Sequence, residues 1–398
     1  MKGYTRFCPA VLFTVWMLCT VPLATIAREV PGRPFGPVLP LPGKEPRVQV
    51  VLNRSVYRIR IDPKTGAPVM PGDIRAFASV VGWPGGIPHP QVFTWRVLLS
   101  WDFAPFPTRH SIGDRLFVQP SPLEIDLSAQ VRGGTLKVFA KTWLQGREIV
   151  GMAQAQVLGE NPPREIVLRS FPRDRFGLLA SKIAMVESRM RQFSEGDERS
   201  PGGYPLLSRS NDVGLMQLSP SGGGLTAEDQ VWDWRANLQR GLEMLAGKRV
   251  LSSLASRHAT GRGWIRGPDE GVLMLGFLNA MRLVLGLDPL PALAIPPLSS
   301  APGSGIQPGE EDPDGLALSQ MERDAVRRYN GGREYEFVVV PDLMTLGVAR
   351  AEWQIDRERG GVAPDRGDPD YVRRVLRARS GLTLPPPAKS RTPRPARP

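Results

Sequence analysis

Near residue 170 the period of the apolar residues changes, and no other feature constrains the fold of this chain as much. Before that point they fall in short runs at 48–52, 56–61, 74–81, 92–101, 123–127, 136–143 and 149–157. Turn signals separate the runs, among them Asp62-Pro63-Lys64-Thr65-Gly66, Gly72-Asp73, Gly133-Gly134 and Gln145-Gly146. Seven short strands at this spacing predict an all-β immunoglobulin-like sandwich over 47–168. Beyond it, Phe176, Leu179, Ile183, Val186, Met190 and Phe193 recur at intervals of three and four, as on a helix with one apolar face. Pro172 lies near its start, where a missing backbone donor does little harm. Further helices are expected over 227–245, over 270–287 and leading into Tyr329. The 270–287 helix is apolar nearly all round, but Asn279 and Arg282 interrupt it, which favours a core helix over a membrane span. The expected architecture is multidomain, a β-sandwich followed by a mainly α domain.

The two ends of the chain are read differently. Lys2, Arg6, an apolar run over 10–24 and the small residues Thr25 and Ala27 form a secretory signal (1–27) cleaved after Ala27. The run is short for a membrane span and no basic cluster follows it, so the mature chain is expected to carry no span. Cys19 follows Trp16-Met17-Leu18, whereas a lipid anchor wants a small residue before the cysteine. Export to the periplasm or cell envelope is therefore expected. Residues 28–46 read as a Pro/Gly-rich linker and 288–315 as a flexible insertion. In 385–398 proline alternates with Lys389, Arg391, Arg394 and Arg397, the composition of a disordered basic tail.

Composition narrows the chemistry. Both cysteines, Cys8 and Cys19, fall inside the signal, which removes a thiol nucleophile and a zinc-thiolate site from the mature chain. His89, His110 and His258 are widely spaced and match no metal or Ser-His-Asp pattern, so neither a metal nor another cofactor is expected. The net charge of +12 suits anionic surfaces. No nucleic-acid reading motif accompanies it, and no nucleic-acid partner is expected.

Several separated segments carry a stronger signal together than singly. In order they are Ala184-Met185-Val186-Glu187-Ser188, then Ser208 through Gly214-Leu215-Met216-Gln217-Leu218-Ser219-Pro220, then Asp233-Trp234-Arg235-Ala236-Asn237-Leu238 with Gly241 and Leu245. Tyr329-Asn330-Gly331-Gly332 and Tyr371-Val372-Arg373-Arg374-Val375-Leu376 complete the set. Across 171–380 this order resembles the transglycosylase domain of the soluble lytic transglycosylases, with features of members that accompany secretion and conjugation machines. The resemblance implies a mainly α, lysozyme-like domain that binds peptidoglycan glycan strands. It implies cleavage of the MurNAc-GlcNAc bond with 1,6-anhydro-MurNAc ends, and Glu187 as the catalytic residue. Met216, Gln217, Tyr329 and Asn330 would line the cleft, Ser188 and Ser208 would orient their neighbours there, and Asn237 would tie a helix to the active-site loop. A secretion or conjugation machine is the further partner it suggests.

The residues themselves agree on Glu187. It lies one position beyond Val186 and four beyond Ile183, at the border of the apolar face. A carboxyl placed there is partly desolvated, which raises its pKa and keeps a proton available to a glycosidic oxygen. The sequence departs from the family at Asn211-Asp212-Val213, which stands where Gly-Ala is common and resembles the D-Y-G-x-x-Q run of animal-type lysozymes. Asp212 is thus a candidate second carboxylate, or a loop residue bonded to its own backbone. Two alternatives stay open: a lysozyme-type hydrolase using Glu187 and Asp212, and a non-catalytic glycan-binding component of an envelope machine.

Overall fold

A computed structural model describes residues 45–83, 89–103, 106–108, 117–197, 201–258, 270–290, 298–307, 310, 313–331, 335–342, 344–345, 347–355, 368 and 370–383. The signal, all but the last two residues of the linker, His110, Gly332 and the basic tail lie outside the described residues. Ten strands come first: β1 (Arg47–Leu52), β2 (Val56–Ile61), β3 (Pro68–Val69), β4 (Arg75–Val81), β5 (Val92–Phe103), β6 (Phe106–Thr108), β7 (Phe117–Pro120), β8 (Leu123–Glu124), β9 (Gly134–Leu144) and β10 (Arg147–Gly159). Helices α1 (Arg164–Ser170), α2 (Arg175–Ser188), α3 (Asp229–Trp232), α4 (Trp234–His258), α5 (Glu270–Val284) and α6 (Gln320–Tyr329) follow. The strands β11 (Tyr335–Asp342) and β12 (Gly347–Ile355) then precede α7 (Tyr371–Arg377).

Local chemistry explains the strand region. In β9, Leu136, Val138 and Ala140 are buried while Lys137, Phe139 and Lys141 alternate outward, the period-two pattern of a sheet with one covered face. Gln145 and Gly146 both take positive φ (50° and 82°), which gives the tight turn that sends the chain back as β10. β10 is thirteen residues long and outruns the antiparallel register with β9. Its last residues, Gln156 to Gly159, pair in parallel with Val56 to Ile59 of β2. The larger sheet runs in the order β3-β2-β10-β9-β5-β6, with β7 also on β5. A smaller antiparallel sheet, β1-β4-β8, lies with β1 against β10. Gly151 allows that approach, because a Cβ there would collide with the Val48 carbonyl.

These findings overturn the expectation of an immunoglobulin-like sandwich followed by a mainly α lysozyme-like domain. Each expected strand run overlaps a strand, but the large sheet is mixed and curls into a half-barrel. The physical cause is the second edge of β10, the one away from β9, which takes β2 from far back in the chain as its parallel neighbour. The later half carries an antiparallel ribbon, β11-β12, so helix and strand are nearly balanced at about 28% each. Nor do the two halves form separate domains, since the chain from Pro46 onward is one compact unit. Trp232 packs edge-on against Trp101 of β5 and fills the space left by Gly133, the Trp234 indole donates to the Gly66 carbonyl at 2.9 Å, and Arg132 pairs with Glu228 at 2.9 Å.

Three other expectations change. The helix from Phe176 does not continue to Phe193; α2 stops at Ser188, where Arg189 and Met190 turn left-handed (φ 57° and 63°). The 270–287 helix is not enclosed: Phe277, Leu283, Val284 and Leu285 of α5 and its end are exposed. Among the described residues no helix is long and apolar enough to cross a membrane. Where described, the 288–315 insertion is tied into the fold, with Glu310 paired to buried Arg323 and Asp314 to buried Lys182.

Candidate active site

The candidate site is assembled at the C-terminal end of α2. Asp174 caps the other end by accepting from the Gly177 N–H at 2.8 Å. Arg175 beside it forks onto the Glu322 carboxylate (2.7 and 2.9 Å) and onto the Leu316 and Ala317 carbonyls, fixing α2 to the start of α6. The left-handed pair Arg189 and Met190 ends the helix directly after Glu187 and Ser188, so Glu187 sits on the last turn at the rim of the core. Ser188 is buried and its hydroxyl reaches the Leu215 carbonyl at 2.6 Å. It staples the helix end to the next loop and lines no open space.

That loop is held by buried amides. Gln192 accepts from the Leu215 N–H at 2.9 Å and donates to the Val231 carbonyl at 2.8 Å. Asn237 of α4 accepts from the Met216 N–H at 2.8 Å and donates to the carbonyls of Val213 (3.0 Å) and Gln230 (2.9 Å). Every strong polar group of these two side chains is thereby satisfied within the core. Gly214 lies between them at φ 76°, where a Cβ would fall 2.5 Å from the Gln192 Nε2 and 2.6 Å from the Asn237 Nδ2. Glycine is the residue that fits. Met216 is fully buried with its side chain against Gly241, so it underlies the site instead of walling it. Gln217 is half-buried and bonds back to the Gly214 carbonyl at 2.7 Å.

The second candidate carboxylate stands on the rim of the same loop. Asp212 accepts from the hydroxyls of Ser208 (2.9 Å) and Ser210 (2.8 Å), and the Ser208 oxygen in turn accepts the N–H groups of Ser210 and Asp212. Its side chain thus bonds hydroxyls, and its charge is felt by both Glu187 and Tyr329.

From the other side come α6 and α7. A Ser319–Glu322 capping box starts α6, and at its far end the buried Tyr329 hydroxyl donates to the Met216 carbonyl at 2.8 Å. Asn330 accepts the Asp368 N–H at 2.6 Å. Asp368 pairs with Arg374, whose guanidinium lies 5.7 Å over the ring of Tyr371. The Tyr371 hydroxyl donates to Glu187 Oε1 at 2.5 Å. Below it, fully buried Lys182 of α2 donates to the Leu376 and Ala378 carbonyls (2.9 and 2.8 Å) at the end of α7. One lysine thereby clamps the helix of Tyr371 to the helix of Glu187.

This environment changes the acidity of Glu187. Burial pushes its carboxyl up to about 7; the Tyr371 hydrogen bond opposes this, the Asp212 charge adds to it, and the Arg374 charge opposes it. The negative end of the α2 dipole acts in the same direction as burial. Burial, together with the Glu187 charge, holds both Tyr329 and Tyr371 well above the usual phenol range, with Asp212 adding to the shift at Tyr329, so both remain donors. The arrangement is a proton-carrying carboxyl braced by a neutral phenol, with a second carboxylate close enough to be felt.

The structure brings Glu187, Asp212 and Tyr329 into one electrostatic unit. It puts Ser188 and Met216 beneath that unit, Gln217 and Ser208 in its loop, and Asn330 behind α7 as a bracing residue. Sequence reasoning did not assign Tyr371, Arg374, Gln192 or Lys182 to the site. Tyr371 opened an expected helix, but nothing in its neighbours points to a partner 184 positions away. Among the described residues no group of three or more His, Cys, Asp or Glu could hold a metal ion. No protein-family model, curated protein or solved structure matches this chain.

Proposed function

We propose that this chain is an exported peptidoglycan lytic transglycosylase in which Glu187 cleaves the MurNAc-GlcNAc bond. The observation that carries the reading is the carboxyl of Glu187, pushed up to about 7 and braced by the Tyr371 hydroxyl at the end of α2. A carboxyl of that acidity holds a proton near neutral pH and can give it to a leaving oxygen. The motif resemblance over Glu187, Gly214 to Gln217 and Tyr329-Asn330 supplies the substrate class; the fold is not part of the argument.

The proposed reaction balances within the substrate and one carboxyl. Glu187 protonates the glycosidic oxygen, the C1–O bond breaks, and charge develops on an oxocarbenium-like sugar. The same carboxylate then takes the proton of the sugar's 6-hydroxyl as O6 closes on C1. An anhydro ring forms, water is not consumed, and Glu187 is returned in its protonated form. The substrate's acetamido group supports the developing charge, and Tyr371 keeps the carboxyl oriented through both transfers.

The charge of Asp212 favours one competitor, a hydrolase in which Asp212 is the second carboxylate and water completes the reaction. Digestion of purified sacculi, with mass spectrometry of the released muropeptides, separates the two. Under our proposal the products are mainly anhydro ends, lighter by one water, and Glu187→Gln lowers the rate by about 10²–10⁴ or more while Asp212→Asn costs far less. Mainly reducing ends with an equally severe Asp212→Asn effect would establish the hydrolase. Full activity in a folded Glu187→Gln variant would remove both.

A further inference from the structure

Lys182 is a buried cation that the proposed reaction does not use, and its surroundings join the candidate site to the 298–315 insertion. It is fully buried on α2, five positions before Glu187. Its ammonium donates to the Leu376 and Ala378 carbonyls and pairs with the Asp314 carboxylate at 2.9 Å. An ammonium taken out of water needs such acceptors, a carboxylate above all.

The two helices it joins meet as a ladder. Glu187 lies five positions after Lys182 on α2, and Tyr371 lies five positions before Leu376 on α7. The contacts cross in reverse order, Lys182 to Leu376 and Glu187 to Tyr371, so the helices run antiparallel with rungs about 7.5 Å apart on each. At seven residues, α7 is too short to hold its place by its own hydrogen bonds. Its approach is tied to α6, where the Asp368 carbonyl accepts from Arg327 and the Asp368 N–H donates to Asn330. The Lys182 rung fixes the far end. A slip of α7 by one residue, about 1.5 Å, would part the Tyr371 hydroxyl from Glu187.

Asp314 reaches Lys182 from a segment with anchors of its own. Arg175 and Lys182 stand about two turns apart on one side of α2, and Arg175 donates to the Leu316 and Ala317 carbonyls. Leu316 and Leu318 are buried, and the Gly303 and Gly305 N–H groups donate to the Ala317 and Leu318 carbonyls at 2.7 and 2.8 Å. We infer that Asp314 is a positioning residue for the reaction at Glu187, acting through Lys182 to hold α7 in the register in which Tyr371 meets the carboxyl. This rests on the reading of Glu187 as the proton donor. The insertion is then part of the apparatus that orients it.

The sign of one titration tests the relay. Facing Glu187 are Tyr371 and Arg374 of α7, Asp212 of the loop and Tyr329 of α6. Removing the Asp314 charge acts on this group in two opposite ways. Directly, loss of a negative charge favours the carboxylate and lowers its pKa. Through Lys182 it loosens the Tyr371 bond, whose loss raises the pKa. The measurement is NMR of the full chain carrying carbon-13 at its glutamate carboxyls, with Glu187→Gln identifying the signal. Asp314→Asn is expected to raise the Glu187 midpoint by about half a pH unit. Asp314→Glu, which keeps the charge, returns most of the way to wild type. Added to Tyr371→Phe, Asp314→Asn produces no further rise, because the bond it acts through is already gone. A midpoint that is unchanged or falls in folded Asp314→Asn overturns the inference, and so does an equal rise on the Tyr371→Phe background. Should Asp314→Asn not fold, Asp314→Ser, which keeps an acceptor, must meet the same signs. The titration needs no substrate, so the expected rise in a chain that cuts no glycan upholds the relay and removes the proposed activity.

Discussion

Replacing Glu187 by Gln should stabilise the protein at alkaline pH and leave its stability unchanged at acid pH. The Gln Oε1 still accepts the Tyr371 hydroxyl, so the shape and the hydrogen bond persist while ionisation is lost. In the wild type the folded-state pKa is raised, from 4.5 to about 7. Below 4.5 both folded and unfolded chains hold the proton and the group contributes nothing. Between 4.5 and about 7 the folded chain retains a proton that the unfolded chain has released, so stability falls as pH rises through that window. At 1.36 kcal/mol per pH unit the full cost above the window is about 3 kcal/mol. The carboxyl is half-buried, and solvent screening lowers the cost, which makes this figure a ceiling. With ~2.1 cal/mol/K of unfolding entropy per residue, a chain of this length converts it to a Tm difference of at most about 4 °C. Calorimetry of both proteins from pH 4 to pH 8 is the assay. A difference that stays flat across the range, or a variant less stable than wild type at pH 8, would refute the desolvated carboxyl.

Three other perturbations test separate parts of the architecture. The alkaline limb of the cleavage rate should move to lower pH in Asp212→Asn, which removes a charge that raises the Glu187 pKa, and to higher pH in Tyr371→Phe, which removes a bond that lowers it; a pH–rate profile on sacculi in which both move the same way contradicts the electrostatic scheme. Gly214→Ala should cost about 3 kcal/mol in denaturant unfolding, whereas Gly223→Ala, with a similar φ of 71° and nothing within 4 Å, should cost about 1 kcal/mol; equal costs would show that the buried amides do not confine position 214. Lys182→Met deprives Asp314 and two α7 carbonyls of their cation and should cost about 3–5 kcal/mol, so a loss below about 1 kcal/mol would show that the clamp carries no weight.

Much of the local structure was legible because it depends on neighbours in the chain. Alternation in the runs around 136–143 and 149–157 identified strands, and the Gln145-Gly146 turn joined them as a hairpin. The end of α2 was not legible. Met190 and Phe193 continue the helical spacing, yet they are buried from a left-handed turn, since a period of apolar residues records burial and not the backbone that achieves it. The β11-β12 ribbon lies between the Tyr329 and Tyr371 segments, where no strand was expected, and the apolar pattern of α5 suggested a burial that the fold does not provide.

By itself the sequence determined that Glu187 stands at the border of an apolar helical face. Tertiary structure alone decided how acidic that carboxyl is and what braces it. The Glu187 pKa follows from burial, from Tyr371 and Arg374 on α7, and from Asp212 in the loop, groups brought together across gaps that no local pattern records. The same holds for the sheet. Parallel pairing of β10 with β2 depends on which distant strand meets a free edge, and hydrogen-bonding groups on every strand edge are alike. Side-chain period fixes which face of a strand is buried, whereas the choice of partner is made by the whole fold.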